Sequence, residues 1–298
     1  MPMDNKALRG MFSYQENLSK YTSWRVGGVA ERLYTPADKQ DLQQFISALS
    51  PEESVVWLGL GSNVLIRDGG LKGTVINTRN KVKQMHLLDA QTLYVECGVP
   101  CAHVARFCAE QQLTGAEFLA GIPGTMGGAL KMNAGAFGSE TWDLVMQVEL
   151  QSAGGQVIQR QASEFEVGYR SVKPVEAACF LSAVLVLKKD NQPSGQKAIK
   201  ALLAKRQAQQ PTNLPNCGSV FRNPENDYAA RLIEVSGLKG YRIGGAEVSM
   251  KHANFIVNSH GANASEIEQL INYVQAEVFR QQGIQLQVEV CIIGDCLL

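Results

Sequence analysis

Two glycine-rich stretches hold the residue types and spacing best suited to chemistry. The first reads Trp57-Leu58-Gly59-Leu60-Gly61-Ser62-Asn63-Val64-Leu65, an apolar strand running into a turn of small residues. Successive backbone N–H groups in such a turn can form a nest for phosphate. A dinucleotide fingerprint would need a third glycine where Val64 stands and a helix after it, whereas residues 65–73 read as a turn between strands. A tight structural turn is the competing reading. The second stretch begins Gly121-Ile122-Pro123-Gly124-Thr125-Met126-Gly127-Gly128 and continues through Asn133 and Gly135 to Gly138, with six glycines in 18 residues. Glycine is costly in a packed helix or strand, so this density points to a backbone that approaches a ligand closely. Both stretches suit a pyrophosphate held by amides, as for a dinucleotide gripped between two subdomains.

The elements that would position these loops read as mixed strands and helices. Strands are expected at residues 55–59, 73–77, 93–97, 144–151, 156–160, 180–188, 253–258 and 286–293. Gly154-Gly155 marks a hairpin turn between two of them. Helices are expected at 38–49, 100–113, 196–210, 228–236 and 265–282. In the fourth, Gly237 fits the C-terminal cap. In the third, Ile199, Leu202, Leu203 and Arg206 share one side. The last is the clearest, with Ile267, Leu270, Ile271, Val274 and Val278 on one face, Ser265 and Glu268 as a capping box, and Gly283 as its stop. Without a strict βαβ alternation the class is α+β. The Pro/Asn-rich stretch at 211–216 is the clearest domain boundary.

Composition narrows the function classes. The 298 residues carry 28 Lys+Arg against 28 Asp+Glu, so no basic excess supports nucleic-acid binding. The longest strongly apolar run, residues 180–187, is far short of a membrane span, and no signal-peptide run opens the chain. Seven scattered cysteines suit reduced thiols in a cytoplasmic protein. Cys97, Cys101, His103 and Cys108 superficially suggest metal ligation, but tetrahedral zinc from one short helix is geometrically poor, and we expect structural thiols and no metal. Cys291 and Cys296 are too far apart for a redox Cys-x-x-Cys.

Six segments, in order along nearly the whole chain, the two glycine stretches among them, make a resemblance specific. They are Tyr21-Thr22-Ser23-Trp24-Arg25-Val26-Gly27-Gly28, Gly61-Ser62-Asn63-Val64-Leu65, residues 121–138, Gly168-Tyr169-Arg170-Ser171, residues 217–224 (Cys-Gly-Ser-Val-Phe-Arg-Asn-Pro) and residues 248–255 (Val-Ser-Met-Lys-His-Ala-Asn-Phe). Together they resemble the UDP-N-acetylenolpyruvoylglucosamine reductase (MurB) family. The resemblance implies an FAD enzyme of peptidoglycan precursor synthesis, with an FAD-binding domain of the vanillyl-alcohol-oxidase (PCMH) type in two subdomains and an α+β substrate domain. We expect these at residues 1–78, 79–208 and 209–283, with 284–298 returning near the first.

In the implied reaction NADPH reduces noncovalently bound FAD, and the enolpyruvyl ether of a UDP-sugar then receives hydride and a proton. By resemblance Ser219 is the proton donor, Arg170 the cation that steadies the carboxylate as it takes up charge, and Glu289 their partner. Glu289 lies in an apolar strand, where we expect it partly desolvated. The cofactor would be met by Arg25, Gly59, Gly61, Ser62, Asn63, Val64, Leu65, Gly121, Ile122, Pro123, Gly124, Gly127, Gly128, Asn133 and Gly135. Tyr169, Arg222, Asn223, Lys251 and His252 are candidates for the substrate or NADPH. Without the resemblance, Ser219 reads as an ordinary turn serine and Arg170 as a surface arginine.

The chain departs from the family pattern at Val288, often proline, at Arg222, commonly lysine, and at Gln209, often lysine. It is too short after Arg170 for the long tyrosine-bearing loop of one subclass. We expect a cytoplasmic monomer with no nucleic-acid or membrane partner. A different FAD-dependent oxidase or dehydrogenase, or a non-catalytic nucleotide-binding protein, would share the loops.

Overall fold

A computed structural model describes residues 8–50, 52–152, 155–173 and 177–297. The class is α+β. Close contacts divide the chain into two compact units that interleave in sequence: residues 8–13, 33–60 and 74–204 form one, and residues 14–32, 61–73 and 205–297 the other. The passage at 204/205 falls just before the Pro/Asn-rich stretch. Residues 78 and 79 belong to the same unit.

The first unit is built on a five-stranded antiparallel sheet in the order Val157–Gln161, Val145–Ser152, Ala177–Val186, Thr92–Glu96, Met85–Leu87. Alternation sends Leu93, Val95, Val148, Leu150, Ala183 and Leu185 inward. They pack with the helix Cys101–Glu110 and with Leu119, Met126 and Trp142 in one core. Cys101 and Cys108 belong to that core, and burial pushes both thiols up to about 12, so they stay protonated. Gly155 takes φ +81 at the hairpin turn; Gly154 lies outside the described residues. The helix Gly195–Gln209 buries only Gly195 and Ile199, and Leu203 stays exposed. Its apolar stripe is real in spacing, but only its first turns meet the core.

The second unit wraps the helix Ala264–Gln282, whose Ile267, Leu270, Ile271, Val274 and Val278 are all buried. The cap differs from the one expected. Asn263, not Ser265, is the N-cap: its Oδ1 accepts Glu266 N at 2.8 Å, and Glu266 Oε2 accepts Asn263 N at 3.2 Å. Asp68 takes the next amides, Ala264 N at 3.0 Å and Ser265 N at 2.9 Å. Gly283 closes the helix at φ +69. The expected strand at 286–293 shortens to Cys291–Ile293, which pairs in parallel with Val64–Ile66, plus a single bridge from Val288 to Phe221.

Arg67 ties this unit together. Its guanidinium holds Glu268 in a fork, Nε to Oε2 at 2.8 Å and Nη2 to Oε1 at 2.7 Å, and donates to Gly294 O at 3.1 Å. The hydrogen bonds from Arg67 hold the Glu268 carboxyl below its ordinary value of 4.5. Replacing Arg67 by Met should therefore lower stability modestly at neutral pH, as for a solvent-screened bidentate pair. A depressed carboxyl stabilises above its unfolded pKa and stops doing so as pH falls through its folded one. The stability gap between the native protein and R67M should thus shrink steadily below pH 4.5 in denaturation curves; a gap that persists into acid contradicts this account.

Candidate active site

In the first unit Gly59, from one glycine stretch, meets Thr125 of the other. The strand Val55–Leu58 runs out into Gly59, where a Cβ would sit 2.4 Å from Thr125 Oγ1. Residues 121–128 are fixed from behind: Cys101 N donates to Gly124 O at 2.9 Å, Met126 N to Val99 O at 2.9 Å and Gly127 N to Cys97 O at 2.8 Å. Among the described residues, the N–H groups of Gly124, Thr125 and Gly128 donate no hydrogen bond. Pro123 and Gly128 are exposed, and a Cβ on Gly128 would meet nothing within 4 Å. A rigid loop with outward-facing amides beside an open glycine fits the diphosphate of a dinucleotide such as FAD.

Other glycines of the block serve the protein's own packing. A Cβ would strike the Phe137 ring from Gly121 at 2.5 Å, Cys97 Cβ from Gly127 at 2.9 Å and Ser139 O from Gly135 at 2.8 Å. Ile122 is part of the core. Asn133, expected at the cofactor, is fully buried, and its amide is spent on Glu140, Gly168 and Trp142. Both polar atoms of its side chain are already bonded within the protein.

Arg170 sits at the tip of a hairpin. Glu166–Gly168 pairs with Ser171–Lys173, with Gly168 opposite Ser171, leaving Tyr169 and Arg170 as the turn. Arg170 adopts φ +54, a left-handed conformation that non-glycine residues rarely take. Its guanidinium carbon lies 5.3 Å from the centroid of the half-exposed Tyr169 ring.

In the second unit Ser219, Glu289 and the turn at Asn63 converge. Gly218 turns the chain at φ +75, and its N donates to Asn216 Oδ1 at 3.0 Å. Just before it, the buried Cys217 thiol lies 3.5 Å from both Gly61 O and Val64 O; burial pushes it up to about 12, so it stays a neutral donor. Just after it, Val220 N donates to Asn254 O at 2.9 Å, and Val220 O accepts Glu289 N at 2.8 Å. The Asn254 amide grips both sides of the Phe221 backbone, accepting N at 2.9 Å and donating to O at 2.8 Å. Asn63 Nδ2 reaches Glu289 O at 3.2 Å. Glu289 is 8% exposed, and Ser219 is half-buried. Cys217 and Asn254 escaped the sequence reading of the site. The signal for Asn254 was a polar residue beside the apolar run 255–257; Cys217, between Asn216 and Gly218, carried none.

The remaining candidates divide. Ser62 and Asn63 lie half-buried at the turn, and Gly61 is locked by φ +59 with Tyr21 O behind it. Val64 and Leu65 are scaffold: both are buried in the strand paired with Cys291–Ile293. Arg25 is exposed at φ +59, in a loop that Ser23 N binds to Gly61 O at 2.9 Å and Trp24 Nε1 binds to Ile256 O at 2.7 Å. Asn223 Oδ1 caps the helix Ala229–Val235 through Ala229 N at 3.1 Å, and Lys251 Nζ donates to Gln207 O. Arg222 Nε and His252 Nδ1 are buried without a hydrogen-bond partner among the described residues. Burial holds the His252 imidazole below its ordinary value, so it is neutral near pH 7. These two orphaned groups fit a polar ligand better than Asn223 or Lys251 do.

Comparison with known proteins places this geometry. The family described as UDP-N-acetylenolpyruvoylglucosamine reductase, C-terminal domain, matches residues 210–293, and the FAD binding domain family matches residues 30–160. The UDP-N-acetylenolpyruvoylglucosamine reductase of Methylococcus capsulatus is 57% identical over 96% of this chain and 94% of its own length. That of Coxiella burnetii is 49% identical over 96% of this chain and 97% of its own. The crystal structure of the Thermus caldophilus MurB superposes with a TM-score of 0.80 at 30% identity, covering 96% of this chain and 99% of that one. Sequence, fold and the separate matches to both parts of the chain agree: the protein belongs to the UDP-N-acetylenolpyruvoylglucosamine reductase (MurB) family of FAD-dependent oxidoreductases.

Proposed function

We propose that the protein converts the enolpyruvyl ether of UDP-N-acetylglucosamine enolpyruvate to the lactyl ether of UDP-N-acetylmuramate, with NADPH as reductant, in peptidoglycan precursor synthesis. The observation that carries this reading is the buried Glu289, whose backbone N–H binds Val220 O, one residue after Ser219. FAD, held noncovalently, would supply the hydride chemistry that links NADPH to the methylene carbon of the substrate.

The chain's own residues handle charge and the proton. An isolated alkene resists hydride; an enolpyruvyl group accepts it because its carboxylate can absorb charge as an enolate. Arg170 binds that carboxylate through a permanently charged fork. Ser219 delivers the proton to the neighbouring carbon, which completes the lactyl ether. Glu289, bonded through its N–H to Val220 O next in the chain to Ser219, tunes that proton transfer. Gly59, Gly124, Thr125 and Gly128 hold the FAD diphosphate. Arg222 and the neutral His252 serve the nucleotide phosphates, and Tyr169 backs the Arg170 guanidinium. Most of the proposed cofactor residues lie within 30–160, and Ser219, Arg222, His252 and Glu289 lie within 210–293. We place the protein in the cytoplasm as a monomer; among the described residues no helix is long and apolar enough to cross a membrane.

One cuvette tests the reading. Flavin absorbance of the purified protein should bleach with anaerobic NADPH and recover on adding the enolpyruvyl UDP-sugar. Recovery with oxygen alone would retain a flavoenzyme of another substrate. A protein that neither carries nor takes up FAD would overturn the proposal.

A further inference from the structure

We infer that Asn133, with Glu140 behind it, is the positioning residue for Arg170. This rests on the carboxylate-binding role proposed for Arg170. Asn133 caps the helix Met126–Met132 in the left-handed region at φ +39. Glycine does that task without side chains at Gly237 and Gly283, so the cap alone does not call for an amide. The amide is fully engaged elsewhere. Its Nδ2 donates to Glu140 Oε2 at 2.6 Å and to Gly168 O at 3.2 Å, and its Oδ1 accepts Trp142 N at 3.2 Å. Its backbone carbonyl accepts Arg170 Nη1 at 3.5 Å.

Two of these contacts converge on the hairpin tip. Gly168 O is the last carbonyl before the Tyr169-Arg170 turn, and Asn133 O meets the guanidinium itself. Arg170 at φ +54 is held in a left-handed conformation unfavourable for a non-glycine residue, which persists only where neighbours over-determine it. Asn133 supplies that restraint from below, and Glu140 fixes the rotamer by charge-assisted hydrogen bonding. Glu140 is itself anchored: its N–H binds Asp143 Oδ2 at 2.8 Å, and the residue pairs with Gly135. The same residue that ends the helix of the cofactor loop therefore sets the cation proposed for the substrate.

The test compares two ligands on the FAD-loaded, oxidised enzyme: the enolpyruvyl UDP-sugar, and UDP-N-acetylglucosamine, which lacks the carboxylate. Flavin absorbance changes or calorimetry give both dissociation constants. Asn133→Gly keeps the left-handed cap and should weaken the carboxylate-bearing ligand about 10-fold while leaving the other within about twofold. Glu140→Ala should reproduce this, and Glu140→Gln, which keeps an acceptor, should largely restore binding. Arg170→Ala should abolish the preference, and adding Asn133→Gly to it should change nothing more. Equal weakening of both ligands in N133G and E140A overturns the inference, as does an intact preference in both. A preference that survives Arg170→Ala overturns the role proposed for Arg170, and the inference falls with it.

Discussion

Glutamine in place of Glu289 is expected to slow reoxidation of the reduced flavin by the enolpyruvyl UDP-sugar by about 10²–10³-fold, and to leave reduction by NADPH within about twofold. The substitution preserves shape and removes charge. Glu289 is buried, its N–H is committed to Val220 O, and its carbonyl is held by Asn63, so the backbone that carries it is fixed from both sides. A buried carboxylate is costly unless it has a task. The proposed task is confined to the half-reaction in which a proton reaches carbon, and Ser219, across the Val220 bond, carries that proton. Ser219→Ala should fall in the same half-reaction. Stopped-flow absorbance follows the two halves separately: bleaching with NADPH, then recovery with the UDP-sugar. Equal losses in both would mean that Glu289 serves the flavin site in general, and its assignment would fail.

Leucine at Gly128 should leave the apoprotein as stable as before, or slightly more so, and weaken FAD binding by about 100-fold, the equivalent of one or two charge-assisted hydrogen bonds. Gly128 lies within the helix Met126–Met132, where glycine costs about 0.5–1 kcal/mol relative to a better helix former. It is exposed, and a Cβ there meets no protein atom within 4 Å. A side chain therefore has room within the protein and none for the ligand that its amide faces. Gly61 provides the contrast. At φ +59, with a Cβ placed 2.1 Å from Tyr21 O, Gly61→Ala should destabilise the fold itself. The ratio of flavin to protein absorbance, FAD titration of the apoprotein and its melting temperature separate the two. Undiminished FAD retention in Gly128→Leu would remove this loop from the cofactor site.

What the sequence by itself determined was local. The buried face of the helix Ala264–Gln282 follows from its 3.6-residue period, and Gly283 ends it because only that residue type enters the left-handed region at little cost. Four of the five strands of the antiparallel sheet were legible from apolar and β-branched runs, Met85–Leu87 was not, and the family was legible because its motifs are contiguous runs. Tertiary structure decided what each group faces. Asn263 and Ser265 are both competent caps; the choice fell to Asn263 because the Asp68 carboxylate, 196 residues from Ala264, takes the following amides. Glycine density announced close approach without saying to what: Gly121, Gly127 and Gly135 approach the protein's own atoms, and Gly128 faces open space. Leu65 and Asn133 stood inside ligand-like motifs, yet one is core and the other a brace, because burial and hydrogen bonding depend on residues far along the chain. The interleaving of the two units has the same cause. Periodicity and turn chemistry act over a few residues, whereas a compact unit is defined by contacts that ignore chain order.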